Sequence, residues 1–460
     1  MTSAWQKSKT YCQNNFFIIK TIGDTMSGNA HAYNHNVKSP SVEEGNITEK
    51  EEEQVMSEDT FDDDFLVDVP DIPMPEANAG LVAEVIQDKF YKSEENPGAA
   101  FKFAFIGCGQ GGSRIAESFY KLGYRRVCCI NTTNQDLKGI DIPESNKLVI
   151  GEGEGGAGKN PANGARIAKE SQDDIYDLMR RSFGNDFDRI FVCVGAGGGT
   201  GSGSADVVIE VAHSLARTLK KESDSTQTIV GAIASMPKVN EGGTVNANAH
   251  AALESLFRQV GTDTGKLGGR NLSPLVVLDN DRINKIYPNL SVSQFWDMAN
   301  RNISSLFHLF NSIAVKNSEF STFDRADFKD LLQSGVVTFG ACPVSNWQEQ
   351  SGISRAIREN LKGNVLVGGF DMSQARKAGC IFIAAKEVLD QIPQDNLEHG
   401  FAGLARIMQD DNTIHRGIYT GSKQGLVVYT MIGELARPTE RMSEIADIGK
   451  VTVLPDTKKR

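Results

Sequence analysis

Short apolar runs separated by helix-length amphipathic stretches dominate the chain from residue 101 onward. Runs at 101–106, 127–131, 148–150, 189–194, 228–235 and 275–278 have strand length and composition, and helical stretches separate most of them. That alternation predicts an α/β fold with a doubly wound, mostly parallel sheet. Residues 292–316 read as one long helix, about 37 Å at ~1.5 Å per residue. Another helix opens at 324–333. Beyond residue 341 the texture changes to helices at 353–361 and 397–409 with strands near 378–384, 415–420 and 425–432, which predicts a smaller α+β domain.

The flanks differ. Residues 1–80 are polar, acidic and without sustained periodicity, which predicts a disordered extension. Within it, Phe61-Asp-Asp-Asp-Phe-Leu-Val67 reads either as an adaptor-docking peptide or as solvated tail. A short amphipathic lead-in helix is expected at 81–92. The predicted organisation is then a nucleotide-binding domain at 81–291, a central helix and following loop at 292–340, the α+β domain at 341–435 and a polar tail at 436–460. Val451-Thr-Val-Leu-Pro-Asp456 is a second candidate docking segment.

Composition narrows the class. Of 460 residues, 40% are hydrophobic and 23% charged, as in an ordinary soluble globular chain. No run approaches the ~18 apolar residues of a membrane span, and no signal-peptide core opens the chain, so the cytoplasm is the expected compartment. The net charge of −11 is local: residues 41–76 hold fourteen Asp or Glu against one lysine, leaving the rest of the chain at +2. Nothing in that balance points to nucleic acid. The seven cysteines are scattered without a Cys-x-x-Cys pair, as expected of reduced, mostly buried thiols rather than a metal site.

The densest chemistry lies at 195–203, Gly-Ala-Gly-Gly-Gly-Thr-Gly-Ser-Gly, directly after the 189–194 strand. A backbone so bare curls tightly and brings its N–H groups onto an anion, with a helix N-terminus behind them. A flexible linker is the competing reading, but linkers do not usually join a buried strand to an amphipathic helix. An earlier loop, Gly107-Cys-Gly-Gln-Gly-Gly112, satisfies Gly-x-Gly-x-x-Gly, so an NAD-binding Rossmann enzyme is the alternative. That reading wants an acid at the end of the second strand, where this chain reads Ile130-Asn-Thr-Thr-Asn134. Two phosphate loops about ninety residues apart suit one mononucleotide better.

Gly197-Gly-Gly-Thr-Gly-Ser-Gly203 matches, letter for letter, the phosphate loop of the tubulin/FtsZ superfamily, and the resemblance covers roughly residues 100–435. The chain resembles prokaryotic or phage members of FtsZ or TubZ type. On that resemblance Gly107, Gly109, Gln110 and Gly111 belong to the first nucleotide loop and Asn131 to the second. Gly156, Ala157, Gly158 and Asn160 fall in the third, which senses the γ-phosphate. Lys159 either adds charge there or is simply solvated. Gly197, Gly198, Gly199, Thr200, Gly201 and Ser202 hold phosphates. Glu241 matches the ribose-side position, with Val245 where the family often has arginine, and Asn280 matches a sugar- or base-side asparagine. Trp296 and Asn300, at i and i+4 on the long helix, resemble the aromatic-plus-amide pair that reads guanine. As residues alone, Trp296 is equally a core candidate.

Hydrolysis needs an acid or base that these loops do not supply. Thr322-Phe-Asp-Arg-Ala-Asp327 resembles the family's catalytic loop, with Thr322 at its usual asparagine. Asp324 and Asp327 share one face of a helix N-terminus, where Asp324 is also a natural cap. The resemblance implies GTP/GDP and Mg²⁺ as ligands, other copies of the chain as head-to-tail partners, and catalysis completed on the neighbouring subunit. A tubulin-like scaffold without turnover is the remaining alternative.

Overall fold

The computed structural model describes residues 66–67, 98–151, 155–219, 228–260, 272–362, 366–422 and 425–451, with Leu66 and Val292 described by their backbones alone. The expected helix at 81–92, the segment 452–460 and nearly all of the acidic extension lie outside these residues.

In chain order the elements are β1 (Leu66–Val67), β2 (Phe103–Cys108), α1 (Gly109–Lys121), β3 (Val127–Asn131), α2 (Asn134–Lys138), β4 (Lys147–Val149), α3 (Pro161–Glu170), α4 (Gln172–Phe183), β5 (Arg189–Gly195), α5 (Gly199–Thr218), β6 (Val230–Met236) and α6 (Gly243–Gln259). They continue with β7 (Leu275–Asp279), α7 (Asn280–Ile286), α8 (Val292–Ile313), α9 (Arg325–Leu332), β8 (Val336–Val344), α10 (Gly352–Lys362), β9 (Lys377–Ala384), α11 (Lys386–Leu389), α12 (Gln394–Ala405), β10 (Thr413–Gly421), β11 (Leu426–Gly433) and α13 (Thr439–Gly449).

One sheet runs through the described residues in the order β1-β10-β9-β11-β8-β7-β6-β5-β2-β3-β4. From β7 to β4 every pairing is parallel, as the alternating pattern predicts. β11 then pairs antiparallel with both β8 and β9. Strands β2, β3, β5, β6 and β7 are almost wholly buried because helices cover both faces. Side-chain alternation splits β2 between two cores: Ala104, Ile106 and Cys108 face α3–α6, whereas Phe103 and Phe105 face α1, α8 and α9. The second core is aromatic, and Phe307 of α8 packs edge-on to Phe103 and Phe191 at 5.3 and 5.0 Å between centroids. A Ser291–Gln294 capping box starts α8, which runs to Ile313 within the predicted 292–316.

Three elements depart from the sequence reading. β8 was not anticipated. It joins the two halves of the sheet, pairing parallel with β7 at Val336 and Val337 and antiparallel with β11 along its length. Residues 436–460 are not all tail, because α13 forms at Thr439–Gly449 and buries Met442, Ile445 and Ala446. Its few apolar positions gain meaning only by docking on α6, where a Cβ on Gly449 would lie 2.8 Å from the Ala247 nitrogen. Within the extension β1 was not anticipated as a strand: Leu66 and Val67 pair in parallel with Thr420 and Gly421 on the edge of β10, and Val67 is 2% exposed. No described helix is long and apolar enough to cross a membrane.

Candidate nucleotide site

The carboxyl ends of β2, β3, β5, β6 and β7 open into a cavity of about 560 Å³. That edge of an open parallel sheet is where ligands characteristically bind. Two helices start there. Neither α1, capped by Cys108, nor α5, capped by Gly198, has a side-chain cap or an acidic residue in its first turn. Their leading N–H groups are therefore left for an anion.

Glycine lets the two helix starts meet. Gly109 has φ +67°, and a Cβ there would lie 2.8 Å from the Gly201 nitrogen. A Cβ on Gly201 would lie 2.7 Å from the Gly195 carbonyl oxygen. The loops cannot sit this close with side chains.

The structure brings most of the sequence-predicted residues together. Gly109, Gln110 and Gly111, Asn131, Gly156, Ala157 and Gly158, and Gly197 through Gly201 all line the cavity. So do Glu241, Asn280, Trp296 and Asn300. Trp296 is half-buried: it lines the cavity and also packs against the edge of the aromatic core.

Three predicted residues do other work. Gly107 lies beneath the cavity, where a Cβ would sit 2.5 Å from Ser113 Cα, so it permits the packing of α1 on β2. Asn160 accepts the N–H groups of Ala162 and Asn163 and caps α3. Ser202 donates its hydroxyl to the Gly198 carbonyl. Asn131 reaches the cavity wall but is already engaged, accepting from the Thr132 N–H at 2.8 Å and donating to Asp136 at 3.0 Å.

Sequence reasoning missed Thr132. Its hydroxyl meets that of Thr200 at 2.7 Å and accepts the Ala157 N–H at 3.1 Å, tying three loops together. The adjacent Asn131 in the same loop was the available signal. It also missed Arg114, which lines the cavity with its guanidinium 5.5 Å from the Trp296 ring centroid. At the position where arginine is frequent, Val245 packs so closely on Gly197 that a Cβ there would lie 2.4 Å from Val245 Cγ1.

Asp279, at the end of β7, supports the floor. Its carboxylate takes a bidentate pair from Arg441 of α13 at 3.0 and 3.2 Å, while Arg441 also donates to the Pro237 carbonyl at 2.7 Å. Burial pushes the Asp279 carboxyl above the ordinary range, and the guanidinium draws it part of the way back.

Asp324 and Asp327 do not line the cavity. They form a capping box on α9: Asp324 accepts the N–H groups of Ala326 and Asp327, and Asp327 accepts that of Asp324 at 3.0 Å. Arg325, between them, pairs with Asp188 at 3.5 Å and covers the Phe101 ring at 4.6 Å. Asp188 and Phe101 precede β5 and β2. The acidic pair thus sits beyond the amino ends of the strands whose carboxyl ends hold the cavity. The seven residues of β5 span about 23 Å between those edges.

The remaining chemistry is quiet. All described cysteines are buried or half-buried, and desolvation pushes the Cys108, Cys129 and Cys342 thiols up to about 12, so they stay protonated. Among the described residues no cluster of three His, Cys, Asp or Glu side chains is arranged to hold a metal.

The fold and site define a mononucleotide-binding α/β protein with two phosphate loops on one cavity. Comparison with known proteins agrees. The model of the Tubulin/FtsZ family GTPase domain matches residues 102–288, and that of the TubZ-like C-terminal domain matches 310–445. The cell division protein FtsZ of Haloferax mediterranei is 29% identical over 63% of this chain and 72% of its own. The tubulin-like protein CetZ1 of Haloferax volcanii is 28% identical over 52% of this chain and 58% of its own. Among solved structures, a GTPγS-form protofilament of TubZ from Bacillus thuringiensis serovar israelensis superimposes with a TM-score of 0.65 at 18% identity, covering 78% of this chain and 92% of that one. An FtsZ dimer from M. jannaschii gives 0.55 at 21% identity, covering 78% and 95%. The chain belongs to the tubulin/FtsZ family of GTPases. The dinucleotide alternative falls with that result.

Proposed function

We propose that the protein binds GTP in this cavity, assembles head to tail, and hydrolyses GTP at the junction between subunits. The carrying observation is the placement of Asp324 and Asp327 at the opposite strand edge from the cavity, about 23 Å away along β5. One subunit's acids are out of reach of its own phosphates but suitably placed for those of a copy stacked on that edge. Phe320 and Val315, 50% and 48% exposed just before the acidic loop, give that edge apolar surface for contact. A heterologous contact of this kind does not close, so it propagates as a filament.

The uncapped starts of α1 and α5 hold phosphates, Trp296 stacks on the base, Asn300 pairs with its edge, and Glu241 and Asn280 take the sugar side. At the junction a carboxylate orients water in line with the γ-phosphate and accepts its proton as the bond to the leaving diphosphate breaks. Among the described residues two carboxylates reach the cavity, Asp136 and Glu241, and the paired hydroxyls of Thr132 and Thr200 line it too. A Mg²⁺ there would be held chiefly by the nucleotide's own phosphates, with Asp136, Thr132 and Thr200 as candidate protein oxygens. The ion would neutralise phosphate charge.

The test is GTPase rate per subunit across a protein concentration series, with Asp324→Ala and Asp327→Ala. Turnover should rise with assembly. Each variant should bind GTP normally, form filaments and lose turnover by orders of magnitude, and should poison wild-type junctions in proportion to its fraction. A concentration-independent wild-type rate, or normal turnover in the double variant, overturns the reading.

A further inference from the structure

His415, on β10, lies between two carboxylates of α9. Its Nδ1 is 2.8 Å from Asp327 Oδ1 and its Nε2 is 3.0 Å from Asp330 Oδ2. Asp327 Oδ2 already accepts the Asp324 N–H, so both of its oxygens are held. The same strand grips the loop before it: the Tyr419 hydroxyl accepts the Phe323 N–H at 2.8 Å and donates to the Phe323 carbonyl at 3.2 Å, and Ser321 bridges to Ile418. The second acid is anchored in turn, because Lys377 of β9 donates to Asp330 at 2.7 Å and lies 3.6 Å from Glu434, just past β11. On β10 itself, Arg416 is turned to Glu398.

We propose that His415 is a positioning residue for Asp327, fixing the orientation in which that carboxylate is presented to the neighbouring subunit. The proposal rests on the junctional hydrolysis reading above. A histidine satisfies both acids only as imidazolium, which donates from both ring nitrogens, whereas the neutral ring has one N–H for two carboxylates. Burial works against the charged ring, but the hydrogen bond to Asp330 and the charge of Asp327 outweigh it, and the net shift is upward from 6.5. Positioning is therefore intact below that elevated value and weakens as pH rises through it. The second anchor tunes the switch. With Asp330 neutral, His415 loses one stabilising charge and the change moves to lower pH.

The experiment uses the full chain under assembling conditions, with turnover at saturating GTP measured across pH and GTP affinity measured separately. Wild-type turnover should fall on the alkaline side. His415→Gln, neutral at every pH, should lower turnover about tenfold and flatten that limb, with GTP affinity and filament formation within twofold of wild type. Asp330→Asn leaves Asp327 and His415 in place and should shift the limb to lower pH. Wild-type turnover and an unchanged pH profile in His415→Gln would overturn the proposal, as would an unshifted limb in Asp330→Asn. Asp327→Ala in parallel separates the two layers. If it abolishes turnover while His415→Gln does nothing, the positioning role alone fails; if it turns over normally, the junctional reading fails first.

Discussion

Replacing Arg441 by alanine should both destabilise the protein and loosen its nucleotide site. The Arg441 and Asp279 side chains are 6% and 5% exposed, so their pairing is made almost entirely away from water. Removing the guanidinium leaves a buried carboxylate without its counter-charge, a change that costs about 3–5 kcal/mol at such sites. The Pro237 carbonyl loses a 2.7 Å donor as well, about 1 kcal/mol more. The Glu444 contact is half-exposed and adds little. A net loss of about 5 kcal/mol is a large share of the 5–15 kcal/mol of a typical domain, and for a body this size lowers the unfolding midpoint by roughly 7 °C. The ligand effect follows from where the two partners sit: Asp279 precedes Asn280, and Pro237 begins the segment leading to Glu241, so both cavity-lining residues lose an anchor. A loss of about 1.4 kcal/mol, or roughly tenfold in GTP affinity, is expected. Thermal unfolding with and without GTP, together with equilibrium nucleotide binding, reads both effects. Asp279→Asn combined with Arg441→Gln removes both charges and should be milder than Arg441→Ala alone. An Arg441→Ala protein with the wild-type midpoint and affinity would refute the reasoning.

Asn300→Ala should weaken GTP binding by about 1–3 kcal/mol without unfolding the chain; unchanged affinity and unchanged preference for GTP over ATP would place base recognition elsewhere. Gly112→Ala should unfold or badly destabilise the protein, since a Cβ would lie 2.1 Å from the Cys193 carbonyl oxygen, whereas Gly139→Ala, whose nearest contact is 3.9 Å, should be tolerated; equal midpoints in urea would count against this packing. Deleting residues 1–80 should leave GTP-dependent filaments, because the described cavity-lining residues all lie at 108 or beyond, but should cost up to about 2 kcal/mol by stripping Val67 from the β10 edge. Loss of assembly with GTP binding intact would show the extension to be needed for polymerisation.

The sequence by itself determined the α/β alternation, the long helix α8 and the chemistry of the phosphate loop. These are local properties: apolar runs form strands wherever helices cover them, and a run of glycines admits close backbone approach whatever surrounds it. The loop resemblance further placed Trp296 and Asn300, whose i, i+4 spacing is fixed by the helix that carries them. Tertiary structure decided what depends on a partner distant in the chain. β8 carries a legible apolar run, yet its role as the strand joining two half-sheets exists only through β7 and β11. α13 looks polar until α6 covers Met442 and Ile445, and Arg441 looks like any surface arginine until burial brings it to Asp279, 162 positions away. His415 has no neighbour in sequence that marks it; only the packing of β10 beside α9 sets its ring between Asp327 and Asp330. Burial and pairing across such distances follow from the sum of many weak contacts in the folded chain, and no window of sequence contains that sum.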